Sequence, residues 1–322
     1  MNAWRSPAFW VVLLGTAAVG SYPLLSQNPS TREVFFTVLM SVALASSLNI
    51  LLGYTGYVSF GHIVFFGLGG YAGFYLMSAR GASLYISILA GGATSGLLAF
   101  LLGKAILRLR GAYFALATIG VNEAARGFVN NFGPFGGPTG MSLQFQVYSQ
   151  YGGAVQALWT VYRLLLGLTL LVLLMSFVVR SSRFGLGLMA IRENEDAAEV
   201  MGVVAPNVKT WAYVLSAIVP GMIGVLFFFK NGNVEPGDAF RLHMSIETIV
   251  MVMLGGQGTV LGPLLGAAGY QRLRGLLLVS PLFKNIQLAV AGAMLLLIIL
   301  FVPSGVVGWL RRRVPRLRRV LE

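Results

Sequence analysis

Cysteine is absent from the sequence, and histidine occurs only twice, as His62 and His243 in different regions of the chain. The absence of cysteine excludes disulfides, thiol catalysis and thiolate metal sites. The GxSxG, HExxH and GxxxxGK(S/T) motifs of hydrolases, zinc proteases and nucleotide-binding proteins are also missing. We therefore expect no catalytic residue, no metal site and no cofactor in this chain. Any ATP-driven activity would need a partner that binds the nucleotide.

Charge is scarce too, since only 10% of the 322 residues are charged and 57% are hydrophobic. Soluble domains carry about 25% charged residues. The mean hydropathy of +0.78 points in the same direction. The composition therefore indicates an all-α, polytopic membrane protein. Charge-free runs, several of them long enough for a membrane helix of about 20 residues, cover 34–79, 81–103, 127–162, 248–271 and 285–310.

The apolar runs predict a single transmembrane domain over residues 1–322, with about 8–10 transmembrane helices and broken or re-entrant segments. The region 245–270 is interrupted by LGGQGTVLGPLLG, and glycines and proline at that density are unusual in one straight helix. Irregular backbone at membrane depth must be buried in protein or line a cavity. A retained first helix is favoured over a cleaved signal peptide, because the apolar run continues to about Leu25. The uninterrupted spans are predicted at 8–25, 34–52, 61–78, 84–106, 113–130, 156–179, 209–229 and 286–308.

The net charge of +13 is concentrated outside the apolar runs, above all in the basic tail 311–322 with its six arginines. This tail is expected to lie against anionic lipid at the cytoplasmic surface rather than to bind nucleic acid. The same rule places both termini in the cytoplasm and the loop 131–155 outside. Two paths fit the region 245–284: a re-entrant segment, or one crossing followed by an additional crossing. The basic residues in the loop 180–209 are Arg180, Arg183, Arg192 and Lys209.

Two interrupted segments resemble each other, because LGxxG occurs both at 52–56 and at 254–258. Paired interruptions in the two halves of a transporter indicate the substrate path. The alternative is a chance match, since glycine is common in membrane helices. Small-xxx-small pairs at Gly69/Gly73 and Gly262/Gly266 favour close helix packing over a passage lined by exposed backbone.

Seven residues are candidates for lining a translocation path. Glu123 and Arg126 share one helix face, either as part of the path or as an internally neutralised pair, and in neither case should they face lipid. His62 is either a gating residue near the cytoplasmic mouth or a hydrogen-bonded histidine at the interface. The full set of candidates is Asn49, His62, Asn122, Glu123, Arg126, Gly255 and Gly256.

Four of the ten acidic residues lie in seven positions of the stretch MAIRENEDAAEVMGVV, residues 189–204. The stretch is predicted to form a cytoplasmic loop helix that ends near Gly202 before Pro206, with Ile191, Ala198 and Met201 along one strip. The cytoplasmic leaflet is negative, so acidic residues here disfavour lying flat on lipid. A soluble protein partner fits this helix better.

The segment Asp196-Ala197-Ala198-x-x-x-Gly202 resembles the EAA loop of ABC importer permeases, with aspartate in place of glutamate. The wider stretch RFGLGLMAIRENEDAAEVMGV is similar to branched-chain amino acid permeases of the LivM type. Matching segments spread over about 48–266 include LNILLGYTGYVSFGH, RLRGAYFALATIGVNEAAR, GGPTGM and MLGGQGTVLGPLLGA. The I-x-L-P continuation of the general EAA pattern is missing, and the nearest proline is Pro220.

The resemblance implies a permease subunit of an importer in the bacterial cytoplasmic (inner) membrane. Its partners would be a LivH-type permease, two ATPases that carry ATP and Mg, and a periplasmic or lipid-anchored substrate-binding protein. Leucine, isoleucine and valine are the usual substrates of such systems, and related subunits carry urea or short amides. The implied ATPase-coupling residues are Arg192, Glu193, Glu195, Asp196, Ala197, Ala198 and Gly202.

A self-sufficient secondary transporter or channel is the competing hypothesis. It calls for an ion-coupling carboxylate near the middle of the membrane, and only Glu123 and Glu247 are candidates. A membrane enzyme has less support, because no catalytic cluster is present.

Overall fold

The structure is a computed structural model that describes residues 7–279, 293 and 305–308. Most of the predicted span 286–308 and the whole basic tail 311–322 lie outside the described residues. The helices are α1 Pro7–Ser26, α2 Pro29–Thr55, α3 Ile63–Arg80, α4 Leu84–Ile106, α5 Ala112–Asn131, α6 Gln146–Ser149, α7 Ala154–Ser181, α8 Arg183–Glu193, α9 Glu195–Val200, α10 Ala205–Asn231, α11 Pro236–Ala239, α12 Leu242–Gly255 and α13 Leu261–Val279. The described residues also form two 3₁₀ turns, Gly133–Phe135 and Gly137–Thr139, and two short strands, β1 Met141–Ser142 and β2 Asn233–Val234.

The predicted all-α membrane fold is confirmed. Helix α4 has the predicted bounds, and α1, α3, α5, α7 and α10 differ from their predicted spans by a few residues at each end. Among the described residues, five helices are long and apolar enough to cross a membrane: α1 from Phe9 onward, α2, α4, α7 and α10. The predicted interruption within 245–270 is present, because α12 ends at Gly255 and α13 begins at Leu261. Its path relative to the membrane stays a prediction.

The chain divides into two compact units. The first unit comprises Met1–Gly56, Thr169–Val203 and Ile246–Glu322, and the second comprises Tyr57–Leu168 and Val204–Ser245.

Helix α2 is the centre of the first unit, with α1, α8 and α13 packed against it. The helix begins where the Asn28 side chain accepts a hydrogen bond from the Ser30 N–H, with proline at the first helical position. Every residue from Leu39 to Thr55 is buried. Side chains of α2 also bond to other elements of the unit, as where Gln271 donates to Ser41 Oγ at 2.6 Å. Burial on all sides explains why α2 has no polar face from Leu39 onward.

In the second unit, α3, α4 and α10 pack through small residues. A Cβ placed on Gly69 of α3 would lie 2.6 Å from Gly221 Cα of α10. Ser95 of α4 donates its hydroxyl to the Phe65 carbonyl at 2.8 Å. The glycine pair Gly69/Gly73 therefore serves close helix packing, the role that its spacing favoured. The loop after α5 is held to the end of α10 by the antiparallel pairing of β1 with β2.

Candidate functional site

The acidic stretch forms a helical corner in the first unit. Helix α8 ends at Glu193, and Asn194 interrupts the helix in an extended conformation with φ −160° and ψ 111°. Its side chain then caps α9 by accepting the Ala197 N–H at 3.0 Å. Gly202 follows α9 with φ +90°, which agrees with its predicted role at the helix end. The predicted single helix over 189–204 is therefore wrong in one respect: the asparagine side chain starts a second helix.

The corner has an inner and an outer side. Leu188, Ile191 and Ala198 are buried and hold α8 and α9 on the protein. On the outer side, Val200 is 87% exposed and Met201 is 85% exposed. Met201 therefore does not share the burial of Ile191 and Ala198, with which the helical pattern placed it on one strip. Of the predicted coupling residues, four are exposed: Glu193, Asp196, Ala197 and Gly202.

Acidic and apolar side chains occur together on this outer side, since Asp196 and Glu199 are exposed in the same short helix as Val200. Sequence reasoning chose the acids and missed the apolar pair. The signal was available: two large apolar residues directly follow an acidic turn and precede a helix-ending glycine. An apolar centre with charged residues around it is the composition of protein–protein interfaces.

Arg192 points away from this outer surface. Its Nη1 donates to the Gly53 carbonyl at 2.7 Å, in the last turn of α2. Those last carbonyls lack a partner within the helix, and a cation near the negative end of the helix dipole is favourable. Arg192 is one of the predicted coupling residues, and in the structure it contacts the end of helix α2.

Asn49 joins the two LGxxG segments. Its Oδ1 accepts from the Gly258 N–H at 2.9 Å and its Nδ2 donates to the Thr259 carbonyl at 3.0 Å. A Cβ placed on Gly53 would lie 2.6 Å from Gly258 N, so the segments are in direct backbone contact. The two interruptions predicted to be related thus form one junction. We call it the glycine junction, comprising residues 49–56 and 255–262.

Gly255 and Gly256, both candidates for the path, are tightly packed in this junction. A Cβ on Gly255 would lie 1.7 Å from the Gly262 carbonyl oxygen. The Gly256 carbonyl accepts from Thr259 Oγ1 at 2.8 Å. In this conformation both glycines allow close backbone contact.

His62 and Asn122 are buried in the second unit. The His62 Nε2 lies 2.9 Å from the Ser216 carbonyl, to which it donates, and the ring packs against Phe65. The Asn122 Nδ2 donates to the Phe240 carbonyl at 3.0 Å. For His62 the geometry agrees with the hydrogen-bonded alternative. The second polar atom of each side chain, Nδ1 and Oδ1, is buried without a protein partner.

Glu123 and Arg126 lie on the exposed face of α5. Their closest charged atoms are 3.9 Å apart, and the side chains are 57% and 47% exposed. The predicted i, i+3 pairing is therefore present as a loose ion pair. Gly120 and Gly127 on this helix have no atom within 4 Å of a Cβ position. This face of α5 is not covered by the described residues.

Glu247, the other candidate carboxylate, is buried in the first unit. It accepts from the Tyr270 hydroxyl at 3.0 Å and from Arg274 Nη1 at 3.2 Å. These bonds connect α12 to α13 on either side of the break. A carboxylate held by a guanidinium and a phenol is occupied by protein donors, as expected for a structural clamp.

Lys209 differs from the expectation that it is a basic loop residue. It lies in α10 and is only 2% exposed. Its Nζ donates to the Tyr57 hydroxyl and to the Leu107 carbonyl, each at 2.9 Å. The burial of Lys209 is produced by tertiary contacts, which the local sequence does not report.

A helical membrane bundle with glycine-broken helices and an exposed acidic helix has the features of a transporter subunit. Residues 8–299 match the family described as branched-chain amino acid transport system / permease component, and the chain belongs to this family. It is a multi-pass integral membrane protein, a class found in the inner membrane of bacteria.

Several permeases are similar to the chain. It is 28% identical over 339 residues to the high-affinity branched-chain amino acid transport system permease protein LivM of Escherichia coli (strain K12), covering 95% of this chain and 76% of that protein. It is 26% identical to a probable branched-chain amino acid transport permease protein LivM of Methanocaldococcus jannaschii, covering 66% of each. The autoinducer 2 import system permease protein LsrC of Photorhabdus luminescens is 27% identical over 42% of each chain. No solved structure matches the chain.

Proposed function

We propose that this chain is the transmembrane permease subunit of a binding-protein-dependent ABC importer for leucine, isoleucine and valine. Membership in the permease family supports the importer role, and the names of the LivM relatives support the substrate class. The observation that carries the proposal is the outer side of the α8–α9 corner, where the acidic residues Asp196 and Glu199 are exposed in the same short segment as Val200 and Met201. This surface suits a groove on a soluble ATPase.

The proposed division of labour assigns ATP and Mg to two partner ATPases. A LivH-type permease would complete the channel, and a periplasmic or lipid-anchored protein would deliver the amino acid. Helix α9 would dock on an ATPase in the cytoplasm, with Met201 and Val200 as its apolar centre and Asp196 among the charged residues around it.

The uncovered face of α5 is proposed to line the translocation path or to face the second permease. Glu123 and Arg126 are exposed there, in a helix that coincides with a predicted span. Ionisable side chains are costly against lipid and normally face a cavity or another helix. The open positions at Gly120 and Gly127 leave room for a neighbouring chain to approach closely.

Docking is tested by replacing Met201 with glutamate in a complex expressed with the second permease, the ATPases and the binding protein. The substitution places a charge in the apolar centre, so ATPase retention on the purified chain should fall about tenfold, equivalent to roughly 1.4 kcal/mol of binding free energy. The matched control is Phe145→Glu, which adds the same charge at another exposed apolar residue, in the loop predicted to face outward.

Full ATPase retention by Met201→Glu would contradict docking at α9. Loss of retention in both variants would show a general effect of the added charge. Robust uptake by the isolated chain in liposomes, without ATPases, would instead establish the self-sufficient transporter.

The substrate is tested on the partner binding protein by calorimetry. Leucine, isoleucine and valine should bind, whereas urea and acetamide should not. Binding of urea or acetamide alone would replace the proposed substrate class while leaving the importer role in place.

A further inference from the structure

Arg192 lies between the α8–α9 corner and the glycine junction, which are far apart in the sequence. It is the residue before Glu193, where α8 ends, and Asn194 then caps the docking helix α9. Its side chain is partly buried and runs toward the glycine junction rather than toward the acids beside it. The side chain is therefore the point where the corner contacts the end of α2.

The guanidinium contacts both halves of the glycine junction. Nη1 donates to the Gly53 carbonyl at 2.7 Å. The same atom lies 2.7 Å from the position that a Cβ of Gly258 would occupy, and the Arg192 Cγ lies 3.4 Å from a Cβ position on Gly56. A Cβ at 258 would crowd the guanidinium and require the arginine side chain to shift, so glycine at this position lets Nη1 lie close to the turn.

The junction itself is closed by buried hydrogen bonds. Asn49 bonds to the backbone of residues 258 and 259, and Thr259 Oγ1 accepts from the Gly262 N–H at 2.9 Å. Buried polar groups of this kind favour discrete arrangements, because a partial displacement leaves donors and acceptors unpaired. A break between two helices is also where a chain can turn without bending either helix.

We propose that Arg192 is a positioning residue that transmits movement of α9 to the glycine junction, and so couples ATPase docking to the opening of the path. The proposal rests on the proposed function, in which α9 receives the ATPase. Movement of the corner would pull on the Gly53 carbonyl and on the turn at Gly258. Arginine suits this role because its planar guanidinium holds its donors in a fixed geometry, whereas the ammonium of lysine is a single point on a flexible stem.

The test separates docking from transmission by measuring both in the assembled complex. Arg192→Met removes the donor and keeps an apolar stem, and Arg192→Lys restores a donor. With Arg192→Met, ATPase retention and ATP hydrolysis should stay at wild-type levels while uptake per ATP hydrolysed falls about tenfold, a fold-change typical of lost coupling between two sites. Uptake per ATP hydrolysed by Arg192→Lys should lie between the values of Arg192→Met and the wild type. The control is Arg183→Met, which removes an exposed arginine at the start of α8.

Unchanged uptake per ATP in Arg192→Met would overturn the proposal, and so would loss of the ATPases, since Arg192 would then belong to the docking surface. If the wild-type complex neither retains ATPases nor takes up amino acids, the proposed function itself fails.

A second measurement leaves Arg192 intact. The chain has no native cysteine, so Thr259→Cys gives a single thiol in the junction. Its labelling rate with a water-soluble maleimide should change about tenfold when a non-hydrolysable ATP analogue is added to the assembled complex. An equal rate with and without the analogue would show that the junction does not respond, which overturns the proposal even if Arg192 variants fail to fold.

Discussion

Replacing Asn49 with alanine should destabilise the first unit, because this side chain holds the glycine junction together. The substitution removes the bonds to the Gly258 N–H and to the Thr259 carbonyl. Asn49 and Thr259 are buried, and Gly258 is half-buried. The small cavity left by the amide adds to the cost.

The magnitude follows from the two backbone groups left behind. A buried group without a partner costs about 1–3 kcal/mol, so the Thr259 carbonyl sets a cost of about this size, and the half-buried Gly258 N–H adds less because water can reach it. Transmembrane helices should remain formed, since their backbone bonds are internal to each helix. The expected phenotype is an early loss of packing between α2 and the α12–α13 break rather than global unfolding.

The assay is thermal unfolding in detergent, followed by thiol exposure at Thr259→Cys in the same background. Asn131→Ala is the matched control, because Asn131 is exposed and bonds only to Gly127 within its own helix. Asn49→Ala should lower the unfolding temperature and speed labelling, and Asn131→Ala should do neither. Equal melting and labelling of the Asn49 variant and the wild type would refute the assignment of Asn49 as the tie between the segments.

Two further predictions concern packing and charge. Gly69→Val should lower the unfolding temperature by separating α3 from α10, at about 1–3 kcal/mol for an overpacked site, whereas Gly120→Ala, with open space at its Cβ, should be near neutral in the same melt. Glu247→Gln should cost about 1–3 kcal/mol, since Arg274 loses its charged partner while the Tyr270 hydroxyl keeps an acceptor. A proton- or sodium-driven uptake that Glu247→Gln abolishes without destabilising the protein would contradict the clamp.

Much of the fold could be predicted because composition and charge gaps report directly on membrane helices. The bounds of α4 and the break within 245–270 were both visible as apolar runs and glycine density. The break at Asn194 was not, since asparagine is compatible with a helix face and acts here through its side chain as a cap. The local sequence shows that an asparagine can either continue a helix or cap one, and the surrounding structure determines which conformation it adopts.

In the candidate site, too, some features could be predicted from the local sequence and others depend on tertiary contacts. The similarity between the two LGxxG segments suggested that they are related, and in the structure Asn49 connects them by a hydrogen bond. The exposure of Met201 and the burial of Lys209 depend on which faces the tertiary structure covers. Periodicity assigns residues to a common face of a helix but does not say which face is packed.

The side chains of Arg192 and Lys209 point into the protein, and this affects how basic residues act during membrane insertion. Topology is set by basic residues while the chain is still being inserted, before side chains have found partners. Both cations would count as loop charges at that stage, yet in the folded protein Lys209 is buried and Arg192 bonds to a helix end. The same residues can therefore orient the nascent chain and later act as hydrogen-bond donors inside the folded protein.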